Sequence, residues 1–136
     1  MNLSDLPRLQ AAHKRGRKNV ASFGRGSKMG NKFCVVEGIK FRSKAEGRLY
    51  PELLVMQRVG SISNLRLQTR WPIEIGGVMI GHYVSDFDYI QQRRLVVVDI
   101  KGQLTQLSAW KLRLMKAVHG VDVRLLTQKT DPRLFK

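Results

Sequence analysis

Residues 94–101 read Arg-Leu-Val-Val-Val-Asp-Ile-Lys, and this stretch decides the fold class. The unbroken apolar run 95–98 is typical of a strand that is covered on both faces. We therefore place this strand in the centre of its sheet. Because side chains alternate along a strand, Asp99 and Lys101 are expected to project from one face and Ile100 from the other. The sequence predicts an acid and an amine side by side at the end of a buried strand.

A helix is predicted upstream of this strand, beginning at Ser43. The Ser43 hydroxyl can cap the helix, and Glu46 lies three residues further on, which is the capping-box arrangement. Pro51 lies inside the helix, and Gly47 is the residue best able to bend where the proline ring clashes. The apolar positions form one stripe that consists of Ala45, Leu49, Leu53 and Met56.

Turn signals divide much of the remaining chain into strands. The predicted extended segments are a hairpin over 33–41 that turns near Glu37-Gly38, and strands over 65–75, 78–90, 94–101 and 121–126. Gly76-Gly77 is the two-residue turn between the first two long strands.

A second helix is predicted over 104–119, with Gly120 as its C-cap. Its apolar side consists of Leu104, Leu107, Leu114, Met115 and Val118. Lys111 falls within that side, where a lysine either extends its amine to solvent, pairs with an acid or contacts phosphate.

The order of elements from Ser43 is helix, three strands, helix, strand. Three consecutive strands can form an antiparallel meander, whereas the helix before the last strand is a crossover that makes this strand parallel to its neighbour. The prediction is an α/β domain over 33–136 with a mixed sheet flanked by helices.

The charge of the chain points to a polyanionic partner. Twenty-five Lys and Arg residues oppose ten Asp and Glu residues, a net charge of +15. Residues 1–32 hold eight of these basic residues and one acid, and we expect a flexible arm that contacts DNA phosphates. An inert solvated tail is the alternative. The expected DNA contacts are Lys14, Arg15, Arg17, Lys18, Arg25, Lys28 and Lys32.

The expected compartment is a reducing cytoplasm, because the single cysteine, Cys34, can form no intrachain disulfide. No apolar run is long enough for a membrane span, and the first thirty residues lack a signal-peptide pattern. We expect a soluble protein with no membrane partner.

Acidic residues are expected to converge at the end of the central strand. Asp86 and Asp88 should share one face of the neighbouring strand, and the short connection places them beside Asp99. Carboxylates hold Mg²⁺, which acidifies a bound water, and a lysine can stabilise developing negative charge. A simple salt bridge between Asp99 and Lys101 is the alternative. Glu46 could face the sheet as a further ligand or serve only the capping box.

The two tryptophans and two of the histidines are weaker candidates. Trp71 and Trp110 could stack on bases, although core positions are more common for both patterns. His82 and His119 have no partner at ligand spacing and are interpreted as structural or surface residues.

Four motifs resemble the PD-(D/E)XK nuclease superfamily, and within it small bacteriophage endonucleases of the resolvase-like and transposon-end-nuclease-like kind. The motifs are Ser-Lys-Ala-Glu-Gly-Arg-Leu-Tyr at 43–50, Leu-Gln at 67–68, Tyr-Val-Ser-Asp-Phe at 83–87 and Val-Asp-Ile-Lys-Gly at 98–102. The likeness covers residues 33–127 and implies a restriction-endonuclease-like core.

The resemblance implies a role for each matching residue. Asp86 and Asp99 would bind Mg²⁺, or Mn²⁺ in its place, together with the backbone carbonyl of Ile100. Lys101 would be the catalytic lysine, Glu46 would complete the site as a catalytic acid and metal ligand, and Gln68 would be an auxiliary residue, with Lys111 added from the helix pattern. Ser85 stands where the superfamily has proline, and Asp88 is an alternative first acid.

The function implied is Mg²⁺-dependent hydrolysis of DNA to leave 5′-phosphates, on branched or junction DNA, with no organic cofactor. The resemblance is also consistent with a homodimer and, for a phage-encoded protein, with the bacterial host cytoplasm. Two alternatives remain at this point: a non-catalytic DNA-binding or architectural protein, and a subunit of a phage recombination or packaging complex.

Overall fold

The computed structural model describes residues 32–136. The expected arm over 1–32 lies outside these residues except for Lys32. The elements are β1 (Cys34–Val36), β2 (Ile39–Phe41), α1 (Lys44–Arg58), β3 (Ser63–Leu67), β4 (Arg70–Ile75), β5 (Val78–Val84), β6 (Phe87–Gln91), β7 (Arg94–Ile100), α2 (Gln106–His119), β8 (Arg124–Leu126) and a 3₁₀ helix (Pro132–Phe135).

A four-stranded mixed sheet forms the centre of this α/β fold, in the order β3-β6-β7-β8. The strand that opened the sequence analysis is β7, which pairs antiparallel with β6 and parallel with β8. Val97 and Val98 have almost no exposed surface. The predicted central strand and the parallel return after the second helix are both confirmed.

The two long predicted strands, 65–75 and 78–90, are each broken in two. β4 and β5 pair around Gly76-Gly77, whose positive φ angles suit the predicted turn, but they form a separate two-stranded sheet. The break is held by two hydrogen bonds of 3.0 Å, from the Gln68 N–H to the Asp86 carbonyl and from the Ser85 N–H to the Thr69 carbonyl. The prediction of continuous strands was wrong because neither glycine nor proline marks the break.

The N-terminal half of the structure follows its local sequence signals. β1 and β2 form the expected hairpin, with positive φ at Glu37 and Gly38. Ser43 caps α1, and its hydroxyl oxygen accepts the Glu46 N–H at 3.2 Å. The helix runs through Pro51 without a break in its assignment. A Cβ at Gly47 would collide with Cys34 Sγ, which gives this glycine a packing role against β1.

The main core lies between α1 and the central sheet. Phe41, Tyr50 and Phe87 form an aromatic trio with ring centroids 5.2 to 6.4 Å apart. The predicted stripe is buried at Ala45, Leu49 and Leu53, and half-buried at Met56. The 3₁₀ helix, which we did not predict, inserts Leu134 into this core, since one helical turn is too short to show a hydrophobic period.

A second, smaller core packs α2 against the β4–β5 hairpin through Met115, Ile73 and Tyr83. Gly120 is the left-handed C-cap as expected, with φ of 66°. Leu114 and Val118 pack at the edge of this core, but Leu104 and Leu107 are exposed, so the predicted apolar side was partly wrong. The spacing of apolar residues did not reveal that α2 packs against the β4–β5 hairpin with its C-terminal half.

No helix within 32–136 combines the length and the apolar character that a membrane span requires.

Candidate functional site

A cleft of about 1060 Å³ lies where the long hairpin breaks, beside the end of β7. Its walls are the first turns of α1, the break at Gln68 and Asp86, the Ile100-Lys101 end of the central strand, the start of α2 and the C-terminal residues. The break therefore opens the sheet at the position where the acidic residues were expected to meet.

Asp86 lies in the link between β5 and β6. Its Oδ2 accepts a hydrogen bond from the Ile100 N–H at 2.7 Å, which ties it to the end of β7. Burial raises the pKa of Asp86 to about 8, and the neighbouring Asp99 and Glu46 carboxylates add to this effect. The structure thus brings Asp86 to the Asp99-Ile100 end of β7, where burial and neighbouring carboxylates disfavour its charged form.

Asp99 is buried, with only 1% of its side chain exposed. Its Oδ2 accepts a hydrogen bond from the Tyr83 hydroxyl at 2.7 Å and lies 3.2 Å from Lys101 Nζ. Its Oδ1 is buried and has no hydrogen-bond donor among the described residues. A buried carboxylate oxygen needs a partner, which a proton shared with a neighbouring acid or a bound cation can supply.

Tyr83 is a site residue that the sequence analysis missed. It lies in β5, in the small hairpin sheet, and reaches across to the central strand. Burial, and then the negative charge of Asp99, raise the pKa of Tyr83, so its hydroxyl stays neutral and donates. The only available signal was a tyrosine three residues before Asp86, which by itself has no chemical meaning.

Lys101 follows directly after β7, and about a third of its side chain is exposed. Its backbone N–H donates to the Leu126 carbonyl of β8 at 3.0 Å, which fixes the residue at the sheet edge. The amine contacts Asp99 from the cleft side, since Lys101 lines the cleft. The ion pair between Asp99 and Lys101, which the sequence analysis gave as the alternative to a catalytic role, is present.

Glu46 lies in the wall of the same cleft and is 6% exposed. Its Oε1 accepts from the Ser43 hydroxyl at 3.1 Å, so the helix cap and the carboxylate are linked. Burial is the main reason that the pKa of Glu46 is raised, and Asp99 is among the charges that raise it further. Glu46 therefore takes part in the helix cap and also lies near the buried acids, so the two predicted roles are compatible.

Asp88 is engaged elsewhere. It lies within β6, fully buried, and binds Arg66 at 3.0 Å and the Ser85 hydroxyl. Trp71 Nε1 also donates to that hydroxyl at 3.3 Å. The expectation that Asp86 and Asp88 share one strand face is wrong, because Asp86 precedes the strand at the break. Asp86 is the acid that lies near Asp99. Asp88 instead links Arg66 of β3 to Ser85 at the break between β5 and β6.

Of the two predicted auxiliary residues, Gln68 lies at the cleft and Lys111 does not. Gln68 lines the cleft, and its backbone holds Asp86 through the break. Lys111 is exposed on α2 and does not line the cleft, so the structure does not bring it to the acids. Ile100 lines the cleft beside Asp86.

Basic side chains surround the acids, and most of them were not predicted. The basic residues that line the cleft are Lys32, Arg42, Lys44, Arg48, Lys101 and Lys136. Arg48 is held in place by a 2.6 Å hydrogen bond to the Leu134 carbonyl. These residues are scattered along the chain, so only the fold gathers them. The cleft presents positive charge around a small acidic centre.

Two carboxylates are the candidate metal ligands of this site. No group of three or more His, Cys, Asp and Glu side chains within 32–136 is arranged to enclose a metal ion. Mg²⁺ is usually held by one or two carboxylates together with waters and substrate phosphates. Asp86 and Asp99 are the two candidate carboxylates, and Asp99 Oδ1 is buried without a hydrogen-bond partner among the described residues.

A fold of this kind, with two acids and a lysine at a basic cleft, defines a small α/β protein with a candidate functional site at the end of its central strand. The chain belongs to the family described as "Protein of unknown function (DUF1064)", whose model matches residues 26–130. The match includes Glu46, Asp86, Asp99 and Lys101. No curated protein and no solved structure matches the chain.

Proposed function

We propose that this protein is a Mg²⁺-dependent DNA endonuclease with a restriction-endonuclease-like core. The observation that supports this most is that Asp86 and Lys101 line one basic cleft, with Asp86 bound to the Ile100 N–H and Lys101 3.2 Å from the buried Asp99 carboxylate. The pair provides the charge that binds a cation, and the surrounding lysines and arginines provide the charge that binds a polyanion.

The acidic pair and the Ile100 carbonyl would hold the ion. When bound, Mg²⁺ neutralises charge on the scissile phosphate and acidifies a water molecule. Lys101, exposed to the cleft, orients the attacking water and stabilises the negative charge that develops on phosphate. Water oxygen bonds to phosphorus while the bond to O3′ breaks, and the departing O3′ takes a proton from solvent water, which leaves a 3′-hydroxyl and a 5′-phosphate.

Glu46 completes the site in this proposal. Its raised pKa suits a carboxylate that accepts the proton released by the attacking water. Tyr83 does not contact the reacting atoms and fixes the orientation of Asp99. The basic wall formed by Arg42, Lys44 and Arg48 holds the phosphates on either side of the scissile bond.

The resemblance to the PD-(D/E)XK nucleases also suggests a substrate, an origin, a compartment and an oligomeric state. We propose branched or junction DNA as substrate, a bacteriophage origin and action in the host cytoplasm, with a homodimer as the form in which two sites face two strands. The basic arm over 1–32 would add phosphate contacts.

The test is DNA cleavage by wild type and by Asp99→Ala, purified alike, on supercoiled and branched DNA with and without Mg²⁺. Asp122→Asn is the matched control, because Asp122 is an exposed acid that pairs with Lys116 on α2. We expect Mg²⁺-dependent cleavage by wild type and by the control, and loss of cleavage in Asp99→Ala.

Equal background cleavage by all three proteins contradicts the enzyme proposal. Tight DNA binding without cleavage would favour the architectural alternative. Cleavage only after addition of phage or host proteins would favour a subunit of a larger complex.

A further inference from the structure

The start of α2 presents apolar side chains to solvent. Leu104, Leu107 and Trp110 are 52%, 61% and 59% exposed, although the same helix buries Met115 completely. Leu107 and Trp110 are three residues apart and share one side of the helix, and Leu104 directly precedes the Thr105 N-cap. We refer to Leu104, Leu107 and Trp110 as the Trp110 face. Trp110 was expected in the core, so its exposure is a correction to the sequence analysis.

The charged side chains of α2 are all basic. No acidic residue occurs between Asp99 and Asp122, while Lys111 and Arg113 are exposed on the helix and form no ion pair within 32–136. Arg113 shares a shallow depression with Gln106, Leu107, Ala109 and Trp110. An aromatic ring beside a free guanidinium attracts a ligand that has both a flat ring and a negative charge.

The Trp110 face lies near the cleft but on another side of α2. Thr105 and Ser108, in the first turn of α2, line the cleft that contains Asp86 and Lys101. Trp110 lies five residues after Thr105, about 8 Å along the helix axis, and about 200° around the helix from Ser108. A strand that leaves the cleft reaches the indole ring only by passing around the start of α2.

We infer that the Trp110 face stacks an unpaired base of the DNA substrate. The inference rests on the proposed function and narrows its substrate to DNA that has unpaired nucleotides. Bases inside a duplex are already stacked and cannot offer a free face to the indole. A second copy of a chain with net charge +15 would bring like charges together at Lys111 and Arg113, whereas a polyanion is complementary.

The test is binding of the full chain to an oligothymidylate and to a duplex of the same length, in the absence of divalent metal. Trp110→Ala should weaken oligothymidylate binding about 5- to 100-fold and leave duplex binding unchanged. Trp110→Phe should retain most of the affinity because it keeps an aromatic ring. Oligothymidylate should quench the fluorescence of wild type but not that of Trp110→Ala.

Phe33→Ala is the matched control, since Phe33 is an exposed ring with Lys40 over it at 4.4 Å, away from α2. It should bind both DNAs as wild type does. Unchanged oligothymidylate binding by Trp110→Ala overturns the inference, and so does an equal loss for both DNAs. A dimer that Trp110→Ala converts to monomer, with DNA binding intact, overturns it in favour of a second copy.

The inference and the proposed function can fail separately, because binding is measured without metal. If Trp110→Ala selectively loses affinity for oligothymidylate and wild type does not cleave DNA, the base-stacking inference is retained and the nuclease proposal is rejected. If wild type cleaves DNA and Trp110→Ala shows no selective loss of affinity, the nuclease proposal is retained and base stacking is rejected.

Discussion

The two oxygens of Asp99 have different surroundings. Oδ2 is bound by Tyr83 and Lys101, while Oδ1 has no donor among the residues described. Strand alternation predicted the contact between Asp99 and Lys101, because both residues lie at one strand end. It could not predict Tyr83, which is sixteen residues away and reaches Asp99 only because the strands break.

Tyr83→Phe should weaken the binding of Mg²⁺ about 10-fold, because hydrogen bonds that orient a metal ligand typically contribute 10- to 100-fold to metal affinity. The measurement is the Mg²⁺ concentration that gives half-maximal DNA cleavage, together with direct Mn²⁺ binding by electron paramagnetic resonance. Tyr89→Phe, which removes a hydroxyl from a buried ring in β6, is the control and should leave both values unchanged.

A purely structural role for Tyr83 would lower the melting temperature and leave the metal titrations as in wild type. That result would reject Tyr83 as a positioning residue.

Asp86 makes the stability of the metal-free protein depend on pH. The ordinary carboxyl pKa is 3.8 and that of folded Asp86 is about 8, so between these values the folded chain binds an extra proton. Stability contributed by this group therefore falls as the pH rises from about 4 to about 8 and is constant above that range.

Asp86→Asn should remove this dependence. In the absence of metal, the variant should melt at a higher temperature than wild type at pH 8 and at a similar temperature near pH 4. Thermal unfolding across this range is the measurement. If the melting temperatures of the two proteins change with pH in parallel, ionisation of Asp86 does not destabilise the fold.

Among the elements, those with local signals were predicted well. The cap at Ser43, the turn at Gly76-Gly77 and the C-cap at Gly120 depend on neighbouring residues only, and all three are present. The break at Gln68 and Asp86 depends on two strands packing against different partners, and α2 faces the small hairpin instead of the main sheet. Tertiary contacts of this kind leave no pattern in a single segment.

Gly47→Ala should destabilise the protein even though alanine favours helices by about 1 kcal/mol over glycine. The new methyl group would collide with Cys34 Sγ and press on Val36 at 3.2 Å. Overpacking of this kind costs about 1–3 kcal/mol. The free energy of unfolding in urea measures the effect.

Gly81→Ala is the control for that experiment, because an added Cβ there meets no atom within 4 Å. Removing the sulfur with Cys34→Ala should reduce the cost of Gly47→Ala in the double variant. If the cost is the same with and without the sulfur, close approach of β1 is not the reason for Gly47.

At the level of the whole molecule, the cleft borders the main core. One wall comes from α1 and the 3₁₀ helix of the main core, and another comes from the start of α2. The sequence predicted a positively charged protein, but the positions of Arg42, Arg48 and Lys136 around the acids required the fold. Charge can be counted from a sequence, whereas its placement in a cleft depends on contacts between distant segments.

Deleting residues 1–32 lowers the net charge from +15 to +8, because this segment holds eight basic residues and one acid. DNA affinity should fall, and its dependence on salt should become shallower by about 0.9 for each lost phosphate contact in a plot of log K against log salt. The Mg²⁺ requirement for cleavage should be retained. An unchanged salt slope would show that the segment does not contact phosphates.

Binding of Mn²⁺ to wild type, Asp99→Asn and Asp122→Asn tests most directly whether the acidic pair is a divalent-metal site. Electron paramagnetic resonance of free Mn²⁺ reports the bound fraction without DNA and without cleavage. We predict saturable binding by wild type and by Asp122→Asn, and its loss in Asp99→Asn. Equal binding by all three proteins, or no binding by wild type, would contradict a metal site at Asp86 and Asp99.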